Sequence, residues 1–324
     1  MLIKVRKASD IRSSEITSES VYLNRRQLIG GMAGAGLALT GLSAEAALDP
    51  HGLASRIASA AKTPYGKGEE LTPYKNVTTY NNFFEFGTDK ADPAEYAHAM
   101  KTDPWSITVE GFAEKLGVFQ LEDLLAGVSI EERIYRLRCV EAWSMVIPWL
   151  GFPLKSLIDQ LRPTSKAKYV SFETLNSPEQ MRGQSSYFSS LEWPYVEGLR
   201  IDEAVHPLAF IAVGLYGKEL PNQNGAPLRL VVPWKYGYKS IKSIVKIRFS
   251  DKPVVTSWQK AGPNEYGFYS NVNPGVDHPR WSQKSERRLP NSLFSPNRID
   301  TKMYNGYGEE VAGMYAGMDL TKNF

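Results

Sequence analysis

Short runs in which apolar and polar residues alternate mark the strands of this chain. Trp105, Ile107 and Val109 alternate with Ser106 and Thr108, the period of a half-buried strand. Ile134 to Val140, Lys168 to Thr174, Leu228 to Val232 and Ser243 to Phe249 are short and rich in β-branched or aromatic residues, and they predict four more. A Pro-Trp-Lys-Tyr-Gly turn region separates the last two. Leu121 to Leu125 reads as a short helix. After Gly151-Phe-Pro153, Leu154, Leu157, Ile158 and Leu161 recur at spacings of three and four, the stripe of an amphipathic helix. Trp143, Met145 and Trp149 read as core. Strands and short helices mix without regular alternation, so the pattern predicts an α+β fold of mixed sheets with short helices. Residues 47–76 are rich in Gly, Ser and Lys with little periodicity and read as a linker or arm. A single globular domain is expected over 77–324.

Composition narrows the class. With 42% hydrophobic and 23% charged residues over 324 positions, the chain is neither disordered nor fibrous. Only one apolar run approaches spanning length, which excludes a polytopic membrane protein. The formal charge is +3, and residues 1–46 hold six of the 38 basic and four of the 35 acidic residues. The remaining body is near neutral and lacks the dense basic face that nucleic acid requires.

That N-terminal stretch reads as an address. Asn24-Arg25-Arg26-Gln27-Leu28-Ile29 precedes an uncharged segment from Leu28 to Ala44, and Ala44-Glu45-Ala46 is a small-x-small cleavage signal. Together they predict a twin-arginine signal peptide over 1–46 and a periplasmic mature protein. The alternative is an uncleaved anchor, but the apolar segment falls short of the ~20 residues that span a bilayer and is diluted by five glycines. The run Gly31-Met-Ala-Gly-Ala-Gly36 imitates a nucleotide loop, yet no strand precedes it. Twin-arginine export moves folded proteins, which suits a cofactor loaded in the cytoplasm.

Cys139 is the only cysteine, so the chain cannot close a disulfide on itself. It is either an inert buried thiol or a reactive one. The neighbouring Arg136 and Arg138 would favour the thiolate, the form that attacks or binds metal. The four histidines, His51, His98, His206 and His278, are scattered without zinc-site spacing. There is no Gly-x-Ser-x-Gly elbow, no haem-attachment motif and no iron–sulfur cysteine cluster.

The segment from Glu131 to Pro153, which includes Arg-Leu-Arg-Cys139-Val-Glu-Ala-Trp, resembles the molybdenum-binding segment of the bacterial protein-methionine-sulfoxide reductase catalytic subunits. Further blocks resemble the same family in the same order: Tyr80-Asn-Asn-Phe-Phe-Glu-Phe86, Pro178-Glu-Gln-Met181, Tyr195-Val-Glu-Gly-Leu-Arg200, Gln223-Asn-Gly-Ala-Pro227, Val232-Pro-Trp-Lys-Tyr-Gly237, Asp277-His-Pro-Arg-Trp-Ser282 and Asn323-Phe324. The resemblance runs over nearly the whole chain.

The resemblance implies a sulfite-oxidase-type fold holding one molybdopterin, with the Cys139 thiolate as protein ligand to molybdenum. A soft thiolate suits such a sulfur-rich site. By the same resemblance Asn81, Phe84, Glu85, Thr174, Asn224, Arg229, Ser240, Ile241 and Lys242 contact the cofactor. Arg229 and Lys242 would face its phosphate, although on residue type alone both read as solvated surface charges. The family usually has Tyr at Phe84, whose loss removes a hydroxyl, and often Gly at Ser240. Glu141 would share Cys139's side of the strand if that strand continues. It would either tune protonation at the metal or bridge to Arg136 or Arg138.

The implied activity is removal of oxygen from methionine sulfoxide residues of oxidised periplasmic proteins, releasing water. A haem-containing membrane subunit of the MsrQ type would donate electrons to a monomeric catalytic subunit. Two alternatives stand beside it. One is a sulfite-oxidising or small S- or N-oxide-reducing enzyme of the same fold. The other is an exported binding protein without the metal.

Overall fold

The computed structural model describes residue 49, residues 51–187 and residues 189–323. The signal segment expected over 1–46 lies outside the described residues. From residue 51 onward the described residues belong to one compact unit built on two sheets.

In chain order the strands are β1 (Ala61–Lys62), β2 (Ser106–Gly111), β3 (Gly117–Gln120), β4 (Glu131–Cys139), β5 (Trp143–Pro153), β6 (Tyr169–Thr174) and β7 (Val196–Arg200). They continue as β8 (Phe210–Leu215), β9 (Lys218–Glu219), β10 (Arg229–Val231), β11 (Ile244–Ser250), β12 (Ser285–Arg288) and β13 (Arg298–Asp300). The helices are short: α1 (Leu53–Ala58), α2 (Tyr74–Thr79), α3 (Asp92–Tyr96), α4 (Leu121–Leu125), α5 (Leu154–Leu161), α6 (Ile201–Ala204), α7 (Ser257–Ala261) and α8 (Gly308–Val311). The expected α+β architecture of mixed sheets and short helices is what forms.

The larger sheet is organised on β5. Antiparallel β4 covers one edge of β5 from Glu131↔Gly151 to Cys139↔Trp143. The other edge is divided. β12 joins it in parallel at Trp143 and Ser144, and β8 joins it antiparallel from Trp149 to Pro153. Between them the Thr72 N–H donates to the Val146 carbonyl, and the Val146 N–H donates to Thr72 Oγ1. The second sheet runs β3-β2-β11-β6-β7, with only the β2–β11 pairing parallel. Nearly every position of β5 and all of β8 are buried, as in a sheet covered on both faces.

Helix α5 forms where its apolar stripe predicts. Leu154, Leu157, Ile158 and Leu161 are all buried, each worth roughly 1.5–3 kcal/mol relative to exposure. Its chain leaves through Arg162, whose left-handed φ of 54° lets its N–H close on the Ile158 carbonyl.

Residues 51–76 of the expected linker are instead built into the body. Leu53 and Ile57 of α1 are buried, β1 pairs in parallel with β4 at Glu131 and Glu132, and the buried His51 bonds Glu122 and the Thr102 carbonyl. Two apolar side chains at i and i+4 and a few backbone bonds suffice to anchor a segment too sparse to show periodicity.

Candidate active site

Strand β4 ends at Cys139, and the chain reverses within three residues to enter β5 at Trp143. Ala142, at φ 61°, makes this possible, and its N–H donates to the Cys139 carbonyl at 3.1 Å. The reversal folds Glu141 back onto the sulfur. Its N–H lies 3.5 Å from Sγ, and its Oε2 is 3.8 Å away. Asn82 Nδ2 donates both to Sγ at 3.4 Å and to Glu141 Oε2 at 2.9 Å. Trp143 Nε1 donates to the same oxygen at 2.9 Å, and Lys90 Nζ lies 3.1 Å from it.

Two expectations are corrected here. Glu141 is brought to the sulfur by the turn, since β4 stops at Cys139. Its cation is Lys90, because Arg136 pairs with Glu69 and Arg138 with Glu286. For the same reason the flanking arginines do not free the thiolate. Burial, reinforced by the Glu141 carboxylate, pushes the Cys139 thiol up to about 12. Burial also acts to raise Glu141, but the hydrogen bonds from Asn82 and Trp143 and the charge of Lys90 outweigh it and hold the carboxyl below its usual range. A thiolate here needs a positive ion at the sulfur itself, as metal coordination supplies.

Cys139 lines a cavity of about 750 Å³ that reaches Asn81, Asn224, Arg229 and Lys242. The Arg229 guanidinium is buried against the Trp149 ring and donates only to the carbonyls of Asn224, Leu230 and Ser240. Lys242 Nζ donates to the Asn82 carbonyl at 2.8 Å and lies over the Phe83 ring. Neither cation has an ion-pair partner within 4.0 Å among the described residues. Burial lowers Arg229 to about 9. Burial, with Arg229 adding, also lowers Lys242, while burial raises Glu85 beside it. Arg229 is buried and Lys242 part-buried, and neither has a carboxylate within 4.0 Å, so the pair can take up an anion, and a cofactor phosphate meets that need with charge-assisted hydrogen bonds.

Polar edges complete this end. Asn81 and Asn224 both donate Nδ2 to the Val77 carbonyl at 2.9 Å, which leaves each Oδ1 buried without a protein partner. Trp149 Nε1 is likewise unpartnered. Buried polar atoms of this kind are seldom left unsatisfied and fit a ligand rich in ring nitrogens and carbonyls. Gly225, at φ 101°, lets the two cations converge, since a Cβ there would lie 2.7 Å from Lys242 Cβ and 3.3 Å from Arg229 Cβ.

Of the residues expected at the site, Asn81, Phe84, Glu85, Cys139, Glu141, Asn224, Arg229, Ile241 and Lys242 line this one cavity. Thr174 and Ser240 do not, but they brace it. Thr174 Oγ1 donates to the Lys242 carbonyl at 2.8 Å, and the Ser240 carbonyl accepts from Arg229 at 3.0 Å. Sequence reasoning missed Asn82 and Lys90, and it missed an aromatic wall of Trp258, Tyr266 and Trp281. Trp281 Nε1 also donates to the Val140 carbonyl at 2.7 Å and so pins the cysteine turn. Asn82 lies within the Tyr80–Phe86 segment that resembles the family, and that resemblance is its signal. Lys90 and Trp258 carry none.

A buried thiol at one part of a cavity and two cations at another fit the class of molybdopterin-binding oxidoreductases. The family model described as oxidoreductase molybdopterin binding domain matches residues 94–258. The chain is 55% identical to the protein-methionine-sulfoxide reductase catalytic subunit MsrP of Pseudomonas syringae pv. tomato, over 100% of each chain. It is 56% identical to the protein of the same name from Xanthomonas axonopodis pv. citri, over 98% of this chain and 99% of that one. Among solved structures, the sulfane dehydrogenase SoxCD of Paracoccus pantotrophus aligns with a TM-score of 0.44 and 16% identity, over 78% of this chain and 64% of that one. The chain therefore belongs to the MsrP family of molybdopterin-binding oxidoreductases.

Proposed function

We propose that this chain is the catalytic subunit of a protein-methionine-sulfoxide reductase, exported by the twin-arginine route and active in the periplasm on oxidised proteins. The observation that carries the reading is the presence, in one cavity, of the Cys139 sulfur and of two cations, Arg229 and Lys242, with no carboxylate within 4.0 Å. The shared name of the relatives supports the substrate class, and Asn24-Arg25-Arg26-Gln27-Leu28-Ile29 supports the export route. Cys139 would hold molybdenum, and Arg229 and Lys242 the pterin phosphate. When bound, molybdopterin supplies a two-electron centre able to exchange an oxygen atom.

The chain's own side chains would do the rest. A methionine sulfoxide, two electrons and two protons give methionine and water. The aromatic wall of Trp258, Tyr266 and Trp281 offers faces to the thioether, a favourable contact for sulfur. Glu141, ionised and bonded to Lys90, places an acceptor and a donor beside Cys139 Sγ for the protons. With one cysteine the chain carries no haem or cluster motif, so electrons would enter from a separate haem-containing membrane subunit of the MsrQ type.

The test is elemental analysis by mass spectrometry of protein recovered from the periplasm, wild type beside Cys139→Ser. The same samples are then assayed for reduction of a methionine-sulfoxide-containing protein by a chemically reduced dye. We expect about one molybdenum per wild-type chain, as one thiolate ligand implies, and loss of activity in the variant. Metal without sulfoxide reduction moves the function to sulfite or small-oxide chemistry. Absence of molybdenum from the exported wild type refutes the proposal.

A further inference from the structure

The hairpin that joins β12 to β13 ends in a tip the fold leaves uncovered. Leu293 and Phe294 are 97% and 100% exposed; among the other described large hydrophobic residues only Tyr187 matches them, at 95%, and Val118 follows at 65%. The tip is built by its own bonds. The Ser292 N–H donates to the Ser295 carbonyl at 3.1 Å, the Ser295 N–H to Ser292 Oγ at 3.0 Å, and the Asn297 N–H to Asn291 Oδ1 at 2.7 Å. Leu293 and Phe294 are therefore the two residues a closed turn presents outward.

Below them the hairpin is basic. Its arms carry Arg287 and the exposed Arg298, and the exposed Lys284 and Lys302 flank its base, while Arg288 turns inward to Ser144 and Glu286. Of the acidic residues in the same stretch, Glu286 is buried and neutralised by Arg138, which leaves only Asp300 exposed. An apolar point above a cationic collar matches a bilayer rim. The apolar side chains enter the headgroup boundary while the cations meet the phosphates. A protein partner is a poorer fit, because a two-residue point offers far less than the roughly 800 Å² per side that a stable interface buries.

We propose that this tip is a docking finger for an anionic lipid surface. Its base pairs with β5 at Arg287↔Trp143, and both residues line the cavity. The inference does not depend on the proposed substrate.

The experiment is co-sedimentation of the purified holoenzyme with vesicles of phosphatidylcholine alone or mixed with phosphatidylglycerol, at low and high salt. Binding should appear with phosphatidylglycerol and weaken with salt, as screening of the collar requires. Replacing Leu293 and Phe294 together by serine should weaken it by about tenfold or more, and Arg298→Gln by about fivefold. Both changes are at exposed positions, so molybdenum content and circular dichroism should match wild type. Equal binding to both vesicle types, or binding untouched by the tip variant, overturns the proposal. So does vesicle-independent dimerisation that the tip variant abolishes, which would assign the finger to a second copy of the chain.

Discussion

Arg138 immediately precedes Cys139, yet its work lies inside the sheet. Its side chain is fully buried and holds Glu286 Oε2 at 2.8 Å, Gln283 Oε1 at 2.9 Å and Thr301 Oγ1 at 3.1 Å, and it also donates to the Cys139 carbonyl. Arg138→Met keeps the stem and removes the charge, stranding a Glu286 that is 2% exposed. Breaking a buried pair in this way costs roughly 3–5 kcal/mol. Arg288 Nη2 remains 3.4 Å from Glu286 Oε1, so the lower end applies. With a urea m-value of about 3 kcal/mol/M for a body of this size, the midpoint should fall by about 1 M. The double variant Arg138→Met with Glu286→Gln removes the orphaned charge and should recover at least half of that loss. A single-variant shift below about 0.3 M, or a double variant no more stable than the single, would refute the claim that this ion pair holds the end of β4 in place.

Two further outcomes follow from local geometry. Gly225→Ala meets Lys242 Cβ at 2.7 Å from a left-handed backbone, so it should cost at least about 1–2 kcal/mol and lower the molybdenum retained per chain. Gly217→Ala, also at positive φ but with open space around it, should cost only the backbone strain and keep the metal. His206 accepts the Leu208 N–H on Nδ1 at 3.2 Å and faces the Glu310 carbonyl through Nε2. Burial thus depresses its folded pKa below the ordinary 6.5. A depressed value means that the unfolded chain takes the proton first, so this contribution to stability is present above pH 6.5 and is lost as pH falls through the folded value. Urea midpoints measured from pH 7.5 down to 5 should fall more steeply for wild type than for His206→Gln, and parallel slopes would exclude this role.

Where one face of an element meets solvent, the chain's pattern predicted it. Helix α5 and strand β2 formed at the positions their periodicity marks. Strand β5 did not announce itself, for two physical reasons. Both its faces are buried, so no alternation survives, and Pro148 and Gly151 read as breakers. The fold tolerates each locally. The Pro148 carbonyl still accepts from the Tyr216 N–H, and Gly151 is where the pairing with β8 shifts register, so close to the neighbouring chain that a Cβ would meet the Ile211 carbonyl at 1.9 Å. Arg229 and Lys242 show a different limit. A cation in a sequence defaults to the surface, and only the resemblance placed these two at the cavity, where the structure buries Arg229 and part-buries Lys242. Lys90 and Trp258 reach the cavity by tertiary contact alone, which no local pattern encodes.

The cavity is built for charges that the chain does not itself supply. At one part the Cys139 thiol, raised by burial and by Glu141, becomes a thiolate only against a cation. At another, burial lowers Arg229 and Lys242, and an anion beside them would favour their charged forms. A single group carrying a metal and a phosphate satisfies both, so the cost of keeping each part charged is offset by the same binding event. The bracing follows that logic. Trp281 and Arg138 fix the backbone on either side of Cys139, while Thr174, Ser240 and Gly225 fix the backbone around the two cations. None of these five needs to touch the cofactor to decide whether it is held. Substitutions of Arg138, Thr174, Ser240 and Gly225 should therefore affect metal content before they affect turnover per bound metal, those of Trp258 and Tyr266 should do the reverse, and those of Trp281, which both lines the wall and pins the cysteine turn, should affect both.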